Sequence, residues 1–399
     1  MISKRAKNVQ ASPIRKLFPY ADRAKERGIK VYHLNIGQPD IETPHFFWDA
    51  IHGYSEKVLA YGPSGGTADL RLAVADYLVA AGIEVSADEI WITTGGSEAI
   101  LFTLSAICDC DDEILIPEPF YTNYNGFAGM AGVRVTPLTM RVETGFRPPG
   151  PEEVKNKITP KTRALVICSP NNPTGTVYTR EELEALAEVV LEHDLYLIAD
   201  EVYREFVFDG KKHTSLFQIE GLGERAIIVD SISKRFSACG ARVGFVVSRD
   251  KELMESILKF GQARLCPPTL EQVGAAECFR NMKHFIKDMI AEYQRRRDVV
   301  YDRLLALERA VYQKPEGAFY VVARLPVDSS EEFAKWMLSD FDVDGGTTMV
   351  APAEGFYATP GKGADEVRIA YVLNEEDLRV AMDILLEGVQ EYNKKCQKQ

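Results

Sequence analysis

The chain has no run of about 20 apolar residues, the length a membrane-spanning helix requires. Its start, Met1-Ile2-Ser3-Lys4-Arg5, lacks the apolar core of a secretory leader. Positive charge is in deficit: 47 Lys and Arg stand against 59 Asp and Glu, a formal charge of −12. That balance disfavours nucleic-acid binding, which needs a basic face on the phosphates. Local basic runs such as Arg295-Arg296-Arg297 read as a solvated helix face. Cysteine is sparse and scattered, with seven residues at 108, 110, 168, 239, 266, 278 and 396. Cys108 and Cys110 are too close for zinc spacing and have no His nearby, so no metal is expected. In a chain of this size the pattern implies reduced thiols and a cytoplasmic protein. Repeats and low-complexity tracts are absent as well. What is present is 399 residues, 46% hydrophobic and 27% charged, enough for two or three globular domains.

Short apolar runs alternate with helical patterns. Ile90–Thr93, Ile114–Ile116, Ala164–Cys168, Leu195–Ala199, Ala226–Val229 and Gly244–Val247 read as buried strands. Between them lie helices such as Ser97–Ile107 and the stretch opened by the capping box Thr179-Arg-Glu-Glu182. This rhythm predicts a mostly parallel sheet covered by helices, with ligands beyond the carboxyl ends of the strands. Polar clusters after Thr93, Cys168, Ala199 and Val229 fall at those ends. Beyond about Arg264 a long helix is expected over Glu271–Leu307, then strands at Ala318–Val322 and Val367–Tyr371 and a final helix from Glu375. That part reads as a smaller α+β domain, against which the N-terminal segment with Asn35-Ile-Gly-Gln-Pro-Asp40 packs.

Five clusters carry chemistry. Ser231-Ile-Ser-Lys234 follows a buried strand in a loop that also holds Arg242. A lone lysine is usually a solvated charge. One that loses water here drops in pKa and can condense with an aldehyde, while Ser231 and Arg242 suit a phosphate. Asp200-Glu-Val-Tyr203 ends another strand, where a carboxylate is either a turn cap or a counter-charge for a pyridinium nitrogen. Ser169-Pro-Asn-Asn-Pro-Thr-Gly175 is turn chemistry of unusual length. Thr93-Thr-Gly-Gly-Ser-Glu98 opens a helix, an anion site by its free N–H groups. Arg368 interrupts an apolar strand, either paired structurally or aimed into a cleft as a fork for a carboxylate.

Jointly and in this order, these motifs resemble the class I/II aminotransferases of fold type I, which use pyridoxal 5′-phosphate. The resemblance runs from Asn35 to Arg368. It implies a large domain with a mostly parallel seven-stranded sheet flanked by helices, plus a smaller α+β domain. The expected division is residues 1–45 packing with the small domain, 46–275 the cofactor-binding domain and 276–399 the small domain. By similarity, Lys234 holds the cofactor and moves the substrate proton, and Asp200 keeps the pyridine nitrogen protonated. Tyr203 and Asn172 bond the ring oxygen, and Tyr121 stacks on the ring. Gly96, Ser97, Ser231 and Arg242 hold the phosphate together with Tyr61 of a neighbouring subunit. Arg368 clamps the substrate carboxylate under the Gly37 backbone. The Tyr61 match implies a homodimer with shared sites.

The implied activity is exchange of an amino group between an L-amino acid and a 2-oxo acid. Glutamate and 2-oxoglutarate are expected as one pair, aspartate or another amino acid as the other. Bacterial aspartate enzymes commonly carry a lysine where this chain has Ser97, which weakens an aspartate assignment. Arg264, and less strongly Arg15, are candidates for a distal carboxylate, with a structural salt bridge the equal alternative for Arg264. The rival is a carbon–sulfur β-lyase on the same fold. Those relatives more often have His where Asn171 stands and lack the Thr174-Gly175 pair.

Overall fold

A computed structural model describes every residue except 4, 5, 8, 10–12, 14 and 397–399, and three sheets organise it. After β1 (Lys30–His33), the chain builds a seven-stranded sheet from β2 (Ile90–Thr93), β3 (Glu113–Glu118), β4 (Arg134–Thr139), β5 (Thr162–Cys168), β6 (Tyr196–Asp200), β7 (Ala226–Ser231) and β8 (Gly244–Ser248). Their order is β2-β8-β7-β6-β5-β3-β4. Every pair from β4 to β7 is parallel, whereas β8 runs against both of its neighbours. The carboxyl ends of β2, β3, β5, β6 and β7 therefore share one edge of the sheet. The reversed β8 brings its amino end, just after Arg242, to that same edge, with Gly244 opposite both Thr93 and Ser231.

Strands buried on both faces need continuous apolar runs, and Ala164–Cys168 and Ala226–Val229 meet that requirement with exposures of a few per cent. β4 is the strand of this sheet that the sequence pattern does not reveal. Its Pro137 cannot donate to a ladder, and the structure places it at the sheet edge, where that deficit is tolerated.

The second layer follows a 36-residue helix, Thr269–Leu304, two residues earlier in onset than the periodicity predicts. Its Arg295-Arg296-Arg297 run is not a solvated face. Arg296 and Arg297 are buried, Arg296 pairing with Asp40 at 2.6 Å and Arg297 gripping both oxygens of Asp209 at 2.8 Å. A helix passing between two layers has no wet side at those positions, and only Arg295 reaches solvent. Beyond it come β9 (Val311–Tyr312), β10 (Tyr320–Arg324), β11 (Gly346–Met349), β12 (Ala351–Pro352) and β13 (Glu366–Ala370). β10 starts two residues later than expected because Ala318 adopts a left-handed turn, φ 55°. β12, β13, β10 and β9 form one antiparallel sheet, and β1 pairs in parallel with β11. No helix among the described residues is long and apolar enough to cross a membrane.

Candidate active site

A cavity of about 660 Å³ opens at the shared strand edge, between the large sheet and β10 and β13. Eleven of the residues singled out above line it: Gly37, Gly96, Ser97, Tyr121, Asn172, Asp200, Tyr203, Ser231, Lys234, Arg242 and Arg368. Arg15 lines it as well. Tyr61 and Arg264 do not. Tyr61 is exposed, and Arg264 instead donates to the Ser64 carbonyl at 3.2 Å and lies 3.6 Å from Glu98.

Lys234 sits in a single helical turn, Ile232–Arg235, rather than an open loop. Ser231 caps the turn by accepting from the Ser233 N–H at 3.3 Å. Next to the lysine, Arg235 is fully buried and bonded to Asp230 at 2.7 Å, which locks the turn against the sheet. Lys234 Nζ donates to the Gly37 carbonyl at 2.8 Å and lies 3.7 Å from Cys239 Sγ. Burial, helped by the nearby Arg368 and Arg242, pulls its ammonium below the ordinary lysine range.

Asp200 ends β6, 9% exposed. Its Oδ2 accepts from the Tyr124 hydroxyl at 2.8 Å and its Oδ1 from the Val202 N–H at 3.2 Å. Burial outweighs both bonds and pushes the carboxyl up to about 6. Asn172 Nδ2 lies 3.5 Å from the Tyr203 hydroxyl, and Asn172 Oδ1 accepts from Arg368 Nη1 at 3.1 Å. Arg368 Nη2 donates to the Asn35 carbonyl at 2.6 Å, and the guanidinium lies 4.5 Å from the Tyr320 ring centre and 4.8 Å from that of Phe356. Its Nε is buried with no partner.

At the other end of the cavity, the helix Gly95–Ile107 presents its first-turn N–H groups beside Ser231 and Arg242. Gly95, at φ 75°, is needed there because a Cβ would overlap the Arg242 guanidinium. A Cβ on Gly244 would likewise overlap the Gly95 and Gly96 backbone. These close approaches leave a cradle of N–H, hydroxyl and guanidinium donors fitted to a phosphate. A buried amine, a buried carboxylate and this cradle, each at its own strand end, fit pyridoxal phosphate.

Tyr320, Tyr124, Asn35 and Cys239 line the cavity without having been singled out for it. Tyr320 and Arg368 share one face of the small sheet, β10 pairing Val322 with Arg368 and Tyr320 with Ala370. Alternation in the two strands hinted at that face, but only the register joins them.

The family model for aminotransferase class I and II matches residues 29–385, and the chain belongs to that family. It is an aminotransferase and uses pyridoxal phosphate as its cofactor. It is 36% identical to an aromatic-amino-acid aminotransferase of Thermococcus litoralis and 36% identical to an aspartate aminotransferase of Pyrococcus abyssi, with 96% of each chain covered in both comparisons. The solved aspartate aminotransferase of Thermus thermophilus with maleate superposes with a TM-score of 0.87 at 30% identity, over 97% of this chain and 99% of that one.

Asp200 yields a prediction of defined sign. Its folded value, about 6, lies above the ordinary 3.8, so the cofactor-free fold carries a cost of about 3 kcal/mol above pH 6 that vanishes below pH 4. Cofactor-free Asp200→Asn is therefore expected to melt higher than cofactor-free wild type at pH 8, the gain shrinking as pH falls from 6 to 4. The same variant is expected to lose pyridoxal phosphate on dialysis. Scanning calorimetry across pH and a dialysis assay check both.

Proposed function

We propose that this aminotransferase takes glutamate and 2-oxoglutarate as one substrate pair and aspartate or another L-amino acid as the second. Arg368 carries the reading: it is a buried fork with an unpartnered Nε, inside the cavity that also holds Lys234. Bound pyridoxal phosphate supplies an aldehyde for the amino group and a ring that draws electrons from the substrate α-carbon. Lys234 would hold the cofactor, and its free amine would carry a proton to and from the substrate α-carbon through Nζ. Its lowered pKa suits that role, since a neutral amine can accept a proton. Asp200 keeps the ring nitrogen protonated, its own charge stabilised in turn by that cation. Tyr203 and Asn172 bond the ring oxygen, Tyr121 stacks on the ring, and Gly96, Ser97, Ser231 and Arg242 bind the phosphate. Arg368 orients the α-carboxylate, with the Gly37 loop above it excluding water.

The cavity lining also includes the apolar Phe18, Ile36 and Phe127 and the cation Arg15. Such a lining accommodates both a dicarboxylate and a larger apolar side chain. Relatives named as aspartate and aromatic-amino-acid aminotransferases agree with that range.

We further infer a cytoplasmic homodimer that shares residues across its interface. Val58, Leu59, Tyr61 and Leu265 are large apolar residues exposed on adjacent segments, which Arg264 ties together through Ser64. Arg264 keeps two buried nitrogens unpartnered, in keeping with a distal-carboxylate role at the partner's site. The parallel pairing of β1 with β11 supports grouping residues 1–45 with the small domain 276–399, apart from 46–275. Seven free thiols agree with a reducing compartment.

Glutamate added without a keto acid is expected to abolish the visible band of the loaded protein, and 2-oxoglutarate to restore it. Release of pyruvate and ammonia from cystathionine would point to the lyase instead. For the dimer, co-expressing Lys234→Ala with Tyr61→Ala is expected to give activity well above the sum of the two variants alone. One site of each mixed dimer then has both an intact lysine and an intact tyrosine. No gain over that sum would place Tyr61 in its own chain's site or outside the chemistry.

A further inference from the structure

We propose that Tyr320 is a positioning residue of the transamination site, its hydroxyl supporting the Tyr203 phenol and its ring carrying the Arg368 guanidinium. The inference rests on Tyr203 and Arg368 contacting cofactor and substrate, as proposed above.

The geometry forms a closed circuit. Lys234 Nζ donates to the Gly37 carbonyl, and the Tyr320 hydroxyl lies so close to Gly37 that a Cβ there would overlap it. Tyr320 and Tyr203 hydroxyls stand 2.9 Å apart, both 3% exposed or less. Tyr203 leads to Asn172, Asn172 to Arg368, and Arg368 lies 4.5 Å above the Tyr320 ring. Each contact joins separate segments, so the circuit couples the lysine, the ring-oxygen donor and the carboxylate fork.

Proton counting limits what the hydroxyl can do. Each phenol has one proton, and burial pushes both well above neutrality, so both remain protonated. Asn172 Nδ2 can only donate to Tyr203. If Tyr320 also donates to Tyr203, the Tyr203 proton is left free to face the cavity, and a phenol that accepts bonds is a stronger donor. The ring has a separate task. Arg368 has lost water on all sides, which pulls its pKa down, and an aromatic face partly replaces that water. Simple core packing against Phe319 and Tyr203 accounts for the ring but not for the hydroxyl, because Phe would fill the same space.

Two variants separate the tasks. Tyr320→Phe keeps the ring and removes the hydroxyl. A weaker Tyr203 donor stabilises the cofactor's anionic ring oxygen less, so the pH midpoint of the loaded protein's visible absorbance is expected to rise by about half a unit or more. Its KM for the amino donor is expected to stay within about twofold of wild type. Tyr320→Leu removes the platform under Arg368 and is expected to raise that KM about tenfold or more. A Tyr320→Phe protein that titrates at the wild-type midpoint, or a Tyr320→Leu protein with wild-type KM, overturns the proposal. The midpoint is read without substrate. A wild-type protein unresponsive to glutamate would therefore refute the donor assignment and leave the Tyr320→Phe comparison valid.

Discussion

Four cationic side chains, Lys234, Arg242, Arg368 and the more exposed Arg15, share a cavity whose lining holds one carboxylate, Asp200. That excess of positive charge in one cavity, buried at Arg368 and half-buried at Lys234 and Arg242, is the constraint on which the rest of the site depends. Unpaired cations away from water are costly, and the cavity lowers the Lys234 pKa in response. A ligand with a phosphate at one end and a partner with a carboxylate at the other resolve the imbalance. The surrounding protein has the opposite sign, a net charge of −12, so the cavity is a local exception within an acidic surface. Its field favours small molecules that carry a carboxylate or phosphate over neutral ones.

The sheet makes this concentration of charge possible. Five strands that end at one edge deliver Gly96 and Ser97, Tyr121, Asn172, Asp200 and Lys234, each at or just beyond its own strand end. The single reversed strand, β8, adds Arg242 from its opposite end. Three of these charges are held by bonds that are themselves buried: Arg235 to Asp230 beside the lysine, Tyr124 to Asp200 at the carboxylate, and Arg368 to Asn35 and Asn172. Rigid anchoring keeps mutually repelling cations at fixed positions.

Much of this could be read from the sequence because buried strands and ligand loops leave contrasting patterns. Apolar runs ending in Ser-Pro-Asn-Asn, Asp-Glu-Val-Tyr and Ser-Ile-Ser-Lys mark strand ends directly, and the residues they name line one cavity. What escaped depends on partners distant in sequence. β4 is hidden by its proline. Arg296, Arg297 and Arg235 look like surface charge until Asp40, Asp209 and Asp230 fold against them. Tyr124 carries no sequence signal of its role, since its bond to Asp200 spans 76 positions. Tyr320 becomes visible only once β10 and β13 are in register.

The central claim is that Lys234 carries the cofactor. Borohydride reduction of the loaded protein, followed by proteolysis and mass mapping of the pyridoxyl group, tests it most directly. The account predicts a single modified peptide with the group on Lys234. A pyridoxyl group on any other lysine, or none on the chain, would contradict it.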